Sequence, residues 1–412
     1  MHEIGRGELR APARILDIDV ARCHDGAVVD VERFATAWCL VRQNGVVVAA
    51  RFFDVESESS IALSALRDCL VASGLPQPVE STTELDASLT VVIPTNRRKL
   101  LSTALRSLVA QSDKGFDVLI VDNSADGEVA RTLTDFEGLV IRCCHEPKPG
   151  VSRARNRGLS QVTSEFIAWI DDDEVADPDW VAWLKRGFAS PDRPDAVAGV
   201  MLPAELETDA QVNFERYGGF NKGRPMQPEE LRAGTPSVLD PLYPLPNFGA
   251  GGNMAFRTDA LRAIGGFDNR LGSPTIHGGE ETRALSQLLE RGSLILHWPP
   301  AVTWHYHRRT NEELEEQFYG YSAGLTAFYM SVILSSPKRV FHILRFVPRG
   351  IGRIRANRGT GQSDGPPSGF PDYLLSAGRK GLYLGAWLYL REVRRQRRSA
   401  PFDDTQIVSA RT

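Results

Sequence analysis

LTVVIPT (Leu89–Thr95), DVLIVD (Asp117–Asp122), LVIRCC (Leu139–Cys144) and EFIAWI (Glu165–Ile170) are four apolar runs of strand length, and the segments between them follow a different period. After the first run, Leu100, Leu101, Ala104, Leu105, Leu108 and Val109 recur at helical spacing. Glu128–Phe136 and Ser152–Val162 read as helices after the second and third. Apolar strands alternating with helices predict an α/β fold, with a mostly parallel sheet covered on both faces. Ligands of such sheets gather beyond the carboxyl ends of the strands. That rule collects Pro94–Asn96, Asp122–Asn123 and Asp171–Asp173 into one neighbourhood.

Outward from this block, residues 1–80 read as a small, separate α+β module. Phe34–Phe53 predicts two strands turned at Gln43-Asn44-Gly45, and Ile61–Ser73 has helical spacing. Gly74–Ser88, with Pro76 and Pro78, reads as a linker. The α/β domain spans 89–330, with residues 204–245 loop-rich and polar and expected to cover the site. Residues 331–412 read as a basic, helical tail. Lys338–Arg358 holds seven Lys/Arg and no acid, interleaved with Val340, Phe341, Ile343, Leu344, Phe346 and Val347, and Arg391–Arg398 adds five arginines against one glutamate. Basic and apolar faces together suit an anionic membrane surface, and the alternative is a basic helix packed on the domain. Gly359–Gly369 reads as a disordered stretch.

The 412 residues are 42% apolar and 24% charged, ordinary for a globular chain. The formal charge is 48 − 52 = −4, so no nucleic-acid partner is expected. No run approaches the roughly 18 apolar residues of a spanning helix. The N-terminal stretch lacks the apolar core of a signal peptide. The expectation is a cytoplasmic protein, at the inner face of the plasma membrane if the tail binds there. The five cysteines are odd in number and include no C-x-x-C pair, which predicts reduced core thiols, with Cys143 and Cys144 in a buried strand.

The strongest chemical signal is IDDDE (Ile170–Glu174) directly after a strand. Adjacent aspartates repel, and a cation bridging them to a diphosphate would relieve the repulsion. An acidic turn before a helix is the competing reading. Asp122, in VDNSADG, could accept hydrogen bonds from a base or ribose, or could simply close a turn. Arg153, Arg155 and Arg157 crowd the start of a helix in PGVSRARNRG, where guanidinium groups suit phosphate.

In order and spacing, VVIPTNRR, VDNSADG, GVSRARNRG, IDDDE, GGNMAFR, GGFD and GGEET resemble the family-2 inverting glycosyltransferases of the GT-A fold, over roughly Leu89–Tyr329. The resemblance implies a Rossmann-like catalytic domain using Mn²⁺ or Mg²⁺ and a nucleoside-diphosphate sugar of UDP, GDP or dTDP type. The acceptor would be a glycan or lipid-linked glycan. It implies that Pro94, Thr95, Asp122 and Arg155 lie at the nucleotide, with Asp171 and Asp172. Asp173 would ligate the metal, with Asp171 beside ribose or metal-bound water and His305 (alternatively His307) as a further ligand. Gly251, Gly252 and Asn253 would form an acceptor-side turn. The base would come from the acidic pair Glu280-Glu281, with Glu281 in the position usually held by aspartate. Two other readings compete: a sugar-1-phosphate nucleotidyltransferase, whose phosphate loop needs glycine where PTNRRKLL has none, and an inactive sugar-nucleotide-binding or scaffold protein.

Overall fold

The structure is a computed structural model, and it describes residues 1–23, 26–80, 85–96, 100–131, 136, 138–238, 240–244, 248–346, 348 and 366–399. The four runs form strands β7 (Leu89–Thr95), β8 (Phe116–Asp122), β9 (Ile141–His145) and β10 (Phe166–Trp169). With β12 (Ala196–Pro203) and β15 (Ile295–His305) they all point one way. The antiparallel β14 (Met254–Arg257) sits between β10 and β12, and β11 (Glu174–Ala176) and β13 (Glu229–Leu231) flank β15. The result is a mostly parallel nine-stranded sheet with helices on both faces, the α/β architecture that the strand–helix alternation predicts.

Both faces are filled because side chains alternate along each strand. Val91 and Ile93 pack with α2 (Leu101–Val109) and α5 (Trp180–Phe188). Val92 faces α4 (Val151–Gln161), α7 (Thr258–Ala263) and α8 (Glu280–Glu290) on the other side. Each fully buried Leu or Val here contributes about 1.5–3 kcal/mol. Gly199 kinks β12 where a Cβ would run into Ala301 O and the Asn253 amide.

Residues 1–80 are not a separate body. Strands β1 (His2–Ile4), β2 (Ala13–Asp19), β4 (Thr36–Gln43) and β5 (Val46–Asp54) form a sheet, with Asn44 and Gly45 both at positive φ in the hairpin turn. β3 (Val28–Asp30) pairs β6 (Ser60–Ala62) nearby. One sheet face covers α1 (Leu63–Ala72) with Ala37, Cys39 and Val41. The other buries Trp38, Leu40 and Val47 against Val200, Leu202, Val212 and Val302 of the large domain. A sheet with two apolar faces needs two covers, and the α/β domain supplies the second.

Residues 204–245 are loop-rich around α6 (Asp209–Arg216), which a Thr208-x-x-Gln211 capping box starts. One further expectation is corrected. Cys143 is exposed and Cys144 half-buried, because β9 is the edge strand of the sheet, and only Cys39 of the five is fully buried. The short α3 (Glu128–Arg131) begins where a helix was expected, and residues 132–135 lie outside the described ones.

The C-terminal region folds back over the domain. Helix α9 (Asn311–Ser335), capped by Thr310 and Glu313, leads to α10 (Arg339–Leu344). A last helix, α11 (Asp372–Ser399), packs along α9. Gly381 and Gly385 of α11 meet the α9 backbone at Tyr319 and Ala323 so closely that any Cβ would collide. The stretch 359–369 expected to be disordered lies mostly outside the described residues.

Candidate active site

The carboxyl ends of the co-directional strands open into one cavity of about 1160 Å³. Pro94 and Thr95 come from the end of β7, Asp171–Asp173 follow β10, and His305 ends β15. Glu280 and Glu281 open α8 behind Gly278 and Gly279, both in the left-handed region. All eight of these side chains line the cavity, as do Arg155, Gly251 and Gly252. Backbone pairing explains part of the convergence: Glu174 of β11 registers with His305 of β15, and Tyr306 N donates to Asp173 O at 3.1 Å.

Charges are distributed unevenly across this floor. Arg155, buried, donates from Nη1 to Glu280 Oε1 at 2.8 Å and reaches Asp171 Oδ1 at 3.6 Å with Nη2. Gly251 gives its guanidinium room, and Gly252 does the same for Glu174 and Asp171. Burial pushes Asp171 up to about 6, with Arg155 opposing and Asp173 and Asp172 reinforcing. Burial and then Asp171 hold Glu174 well above the carboxylate range. Burial and then Glu280 push Glu281 up to about 8. Asp172 Oδ2 accepts from Thr95 Oγ1 at 2.6 Å, tying the acidic loop to β7.

The donor set fits a divalent cation between Asp173 and His305. Asp173 Oδ1 and His305 Nε2 are both buried and stand 3.6 Å apart, too far for a hydrogen bond and close enough to share an ion. Among the described residues no group of three or more His, Cys, Asp or Glu is arranged to enclose a metal. A two-ligand protein site is the arrangement Mg²⁺ and Mn²⁺ accept when phosphate oxygens and water complete the shell.

Three expected residues sit elsewhere. Asp122 is fully buried, and its Oδ1 accepts from Ser124 N and Oγ, so the neighbouring Asn123 lines the cavity in its place. Asn253 is also fully buried: its amide donates to Val200 O and Ala301 O and accepts from Trp180 Nε1. It braces the strands and does not face an acceptor. His307 lies beneath His305, outside the cavity lining, with Nε2 3.1 Å from Glu215 Oε1.

The sequence reading missed Lys222 and the far wall. Lys222 lines the cavity with its ammonium over the Phe214 and Tyr321 rings, and burial pushes it down to about 8 against the pull of Glu215. Nothing in YGGFNKG marks it. Away from the acids the lining turns apolar: Leu325 and Tyr329 of α9, Ile343 of α10, Phe346, and Leu374, Leu375 and Leu382 of α11.

Residues 90–265 match the family model described as Glycosyl transferase family 2. The chain is 27% identical over 314 residues to a pre-mycofactocin glycosyltransferase of Mycobacterium tuberculosis, covering 73% of this chain and 61% of the relative. It is 27% identical over 184 residues to a glucosyl-dolichyl phosphate glucuronosyltransferase of Haloferax volcanii, covering 43% and 53%. It therefore spans about three fifths or less of the length of these curated relatives. Among solved structures it is similar to the mannosyltransferase PcManGT of Pyrobaculum calidifontis in complex with GDP-Man and Mn²⁺, at 16% identity and a TM-score of 0.44, covering 82% of this chain and 84% of that one.

Proposed function

We propose that this protein is a metal-assisted, inverting glycosyltransferase that moves a sugar from a nucleoside diphosphate to a hydroxyl of a lipid-linked glycan acceptor. The observation carrying the proposal is that one cavity is lined both by the acids Asp171–Asp173, Glu280 and Glu281 and by apolar side chains of α9, α10 and α11. The nucleotide would run along Pro94, Thr95 and Asn123, and Lys222 and Arg308, which line the same cavity, would supply positive charge to its diphosphate. When bound to Asp173 and His305, Mn²⁺ or Mg²⁺ supplies Lewis-acid stabilisation of charge on the leaving diphosphate.

Glu281 is the base. Glu280 is held by Arg155, whereas Glu281 has a raised proton affinity that makes it the better acceptor. The acceptor oxygen forms a bond to the anomeric carbon as the bond from that carbon to the phosphate oxygen breaks. The electron pair leaves on the diphosphate and the hydroxyl proton passes to Glu281. A single displacement inverts the anomeric centre. The apolar wall formed by α9, α10 and α11 suits the lipid portion of the acceptor. Exposed Phe341, Leu344, Tyr383, Leu384 and Trp387 beside basic residues suit peripheral contact with an anionic membrane, at its cytoplasmic face. Among the described residues no helix is long and apolar enough to cross a membrane.

The test is a thermal-shift panel of UDP-, GDP- and dTDP-sugars with and without Mn²⁺, followed by transfer assays with the stabilising donor. Glu281→Gln should lose transfer by at least about 100-fold while keeping the donor-induced shift. Undiminished turnover in that variant removes Glu281 from the role.

A further inference from the structure

Gly378, Gly381 and Gly385 press α11 onto α9 between Tyr319 and Thr326. Beside that glycine face, Leu375, Arg379 and Leu382 stand four and three residues apart, share a stripe and line the cavity. Tyr383 and Trp387 continue from Arg379 in steps of four residues and are exposed. Arg379 is itself exposed, so a cation stands in the apolar wall where the cavity lining runs out to the surface. The other Lys and Arg side chains of the lining are placed beside the acids and aromatic rings. Arg155 is held by Glu280 and Asp171, Arg308 lies 4.0 Å from Asp173, and Lys222 lies over Phe214 and Tyr321. Arg379 has no ion-pair partner among the described residues.

A guanidinium facing a water-filled cavity is well solvated. An apolar ligand filling the same wall would strip that water and leave the charge unpaired, which is costly. A free anion would pair the charge but leave Leu325, Leu375 and Leu382 uncovered. An anion joined to an apolar chain satisfies both, and the planar fork of arginine suits two phosphate oxygens at once. We infer that Arg379 binds a phosphate joined to the apolar chain of the acceptor, at an anion site separate from that of the donor diphosphate. Calling this ligand the acceptor rests on the transferase reading above; the lipid-phosphate site does not.

Isothermal titration of the full chain with farnesyl phosphate, farnesol and inorganic phosphate, without donor or metal, tests this. Farnesyl phosphate should bind at least about tenfold more tightly than either farnesol or inorganic phosphate, as a charge-assisted hydrogen bond allows. Arg379→Gln should weaken farnesyl phosphate about tenfold or more and leave farnesol unchanged. Arg379→Lys, which keeps the charge without the fork, should recover part of the loss. Farnesyl phosphate binding in Arg379→Gln within about twofold of the parent overturns the inference. So does an equal loss for farnesol, or inorganic phosphate binding as tightly as farnesyl phosphate, which marks a site for free anions. A parent that binds farnesyl phosphate through Arg379 but shows no donor-induced thermal shift keeps the site and overturns the transferase reading.

Discussion

Arg155→Met removes a cation that links the acidic loop after β10 to the acids opening α8. The guanidinium is 2.8 Å from Glu280 and 3.6 Å from Asp171, with its side chain 3% exposed. At an effective dielectric of about 20, unit charges about 4 Å apart attract by about 4 kcal/mol. Removing one member of a buried pair costs about 3–5 kcal/mol, because the partner stays desolvated. Methionine fills similar volume, so the loss is electrostatic. Its pH dependence follows from the carboxylates. Asp171 and Glu281 are raised to about 6 and about 8, and Arg155 opposes both rises. Without Arg155 both rise further, so the folded variant holds more protons than the unfolded chain from the ordinary carboxylate range, about 4, upward. Stability is then retained at low pH and lost as pH rises through the folded values. Urea unfolding should show a loss of about 3–5 kcal/mol at pH 8 and a clearly smaller one at pH 5. Equal losses at both pH values, or less than about 1 kcal/mol at pH 8, would refute the electrostatic account.

Gly324→Ala places a Cβ within 3.0 Å of the Gly278 backbone, which leads into Glu280 and Glu281. Overpacking of about 1–3 kcal/mol and a fall in kcat larger than any change in donor affinity are expected from unfolding and steady-state measurements. Mn²⁺ with UDP should raise the melting temperature more at pH 8 than at pH 5.5, since protons compete for the same ligands; scanning calorimetry at the two pH values decides. Replacing Phe341, Tyr383 and Trp387 together with serine should reduce sedimentation with anionic vesicles several-fold and leave neutral vesicles unaffected.

β7 was legible to the residue, because an unbroken apolar run met a polar loop at Asn96. The first hairpin was legible because Asn44-Gly45 tolerates the positive φ that its turn requires. The docking of residues 1–80 left a signal that alternation alone does not capture: Thr36–Val41 is buried at every position, which marks a strand covered on both faces. Asp122 and Asn253 looked like ligand-facing groups because they stand at strand ends beside glycines and acids. Local backbone groups claimed them first, through a turn in one case and the kink opposite Gly199 in the other. Lys222 and Glu215 belong to no motif. Glu215 lies on α6 and meets His307, about ninety residues on, and Lys222 follows in the turns after that helix, a relation that no local period records.

The family match ends at residue 265, before Glu281 and His305. The matched segment therefore holds the acidic loop but neither the proposed base nor the second proposed cation ligand, and both depend on parts of the chain outside it. On the cation side, the N-terminal sheet supplies Arg42, whose Nη2 donates to Asp177 Oδ2 at 2.6 Å. Asp177 closes β11 and also meets Trp304 Nε1, the residue before His305. Arg6 stands 4.0 Å from Glu215 on the same side. On the base side, Gly324 of α9 presses on Gly278 and Gly279, and Gly381 and Gly385 of α11 hold α9 in place. On the proposed mechanism each flank thus fixes one of the two groups that must be held at a set distance across the sugar. Loosening either flank should then reduce turnover more than donor affinity, because the proposed nucleotide contacts at Pro94, Thr95 and Asn123 lie at the ends of central strands.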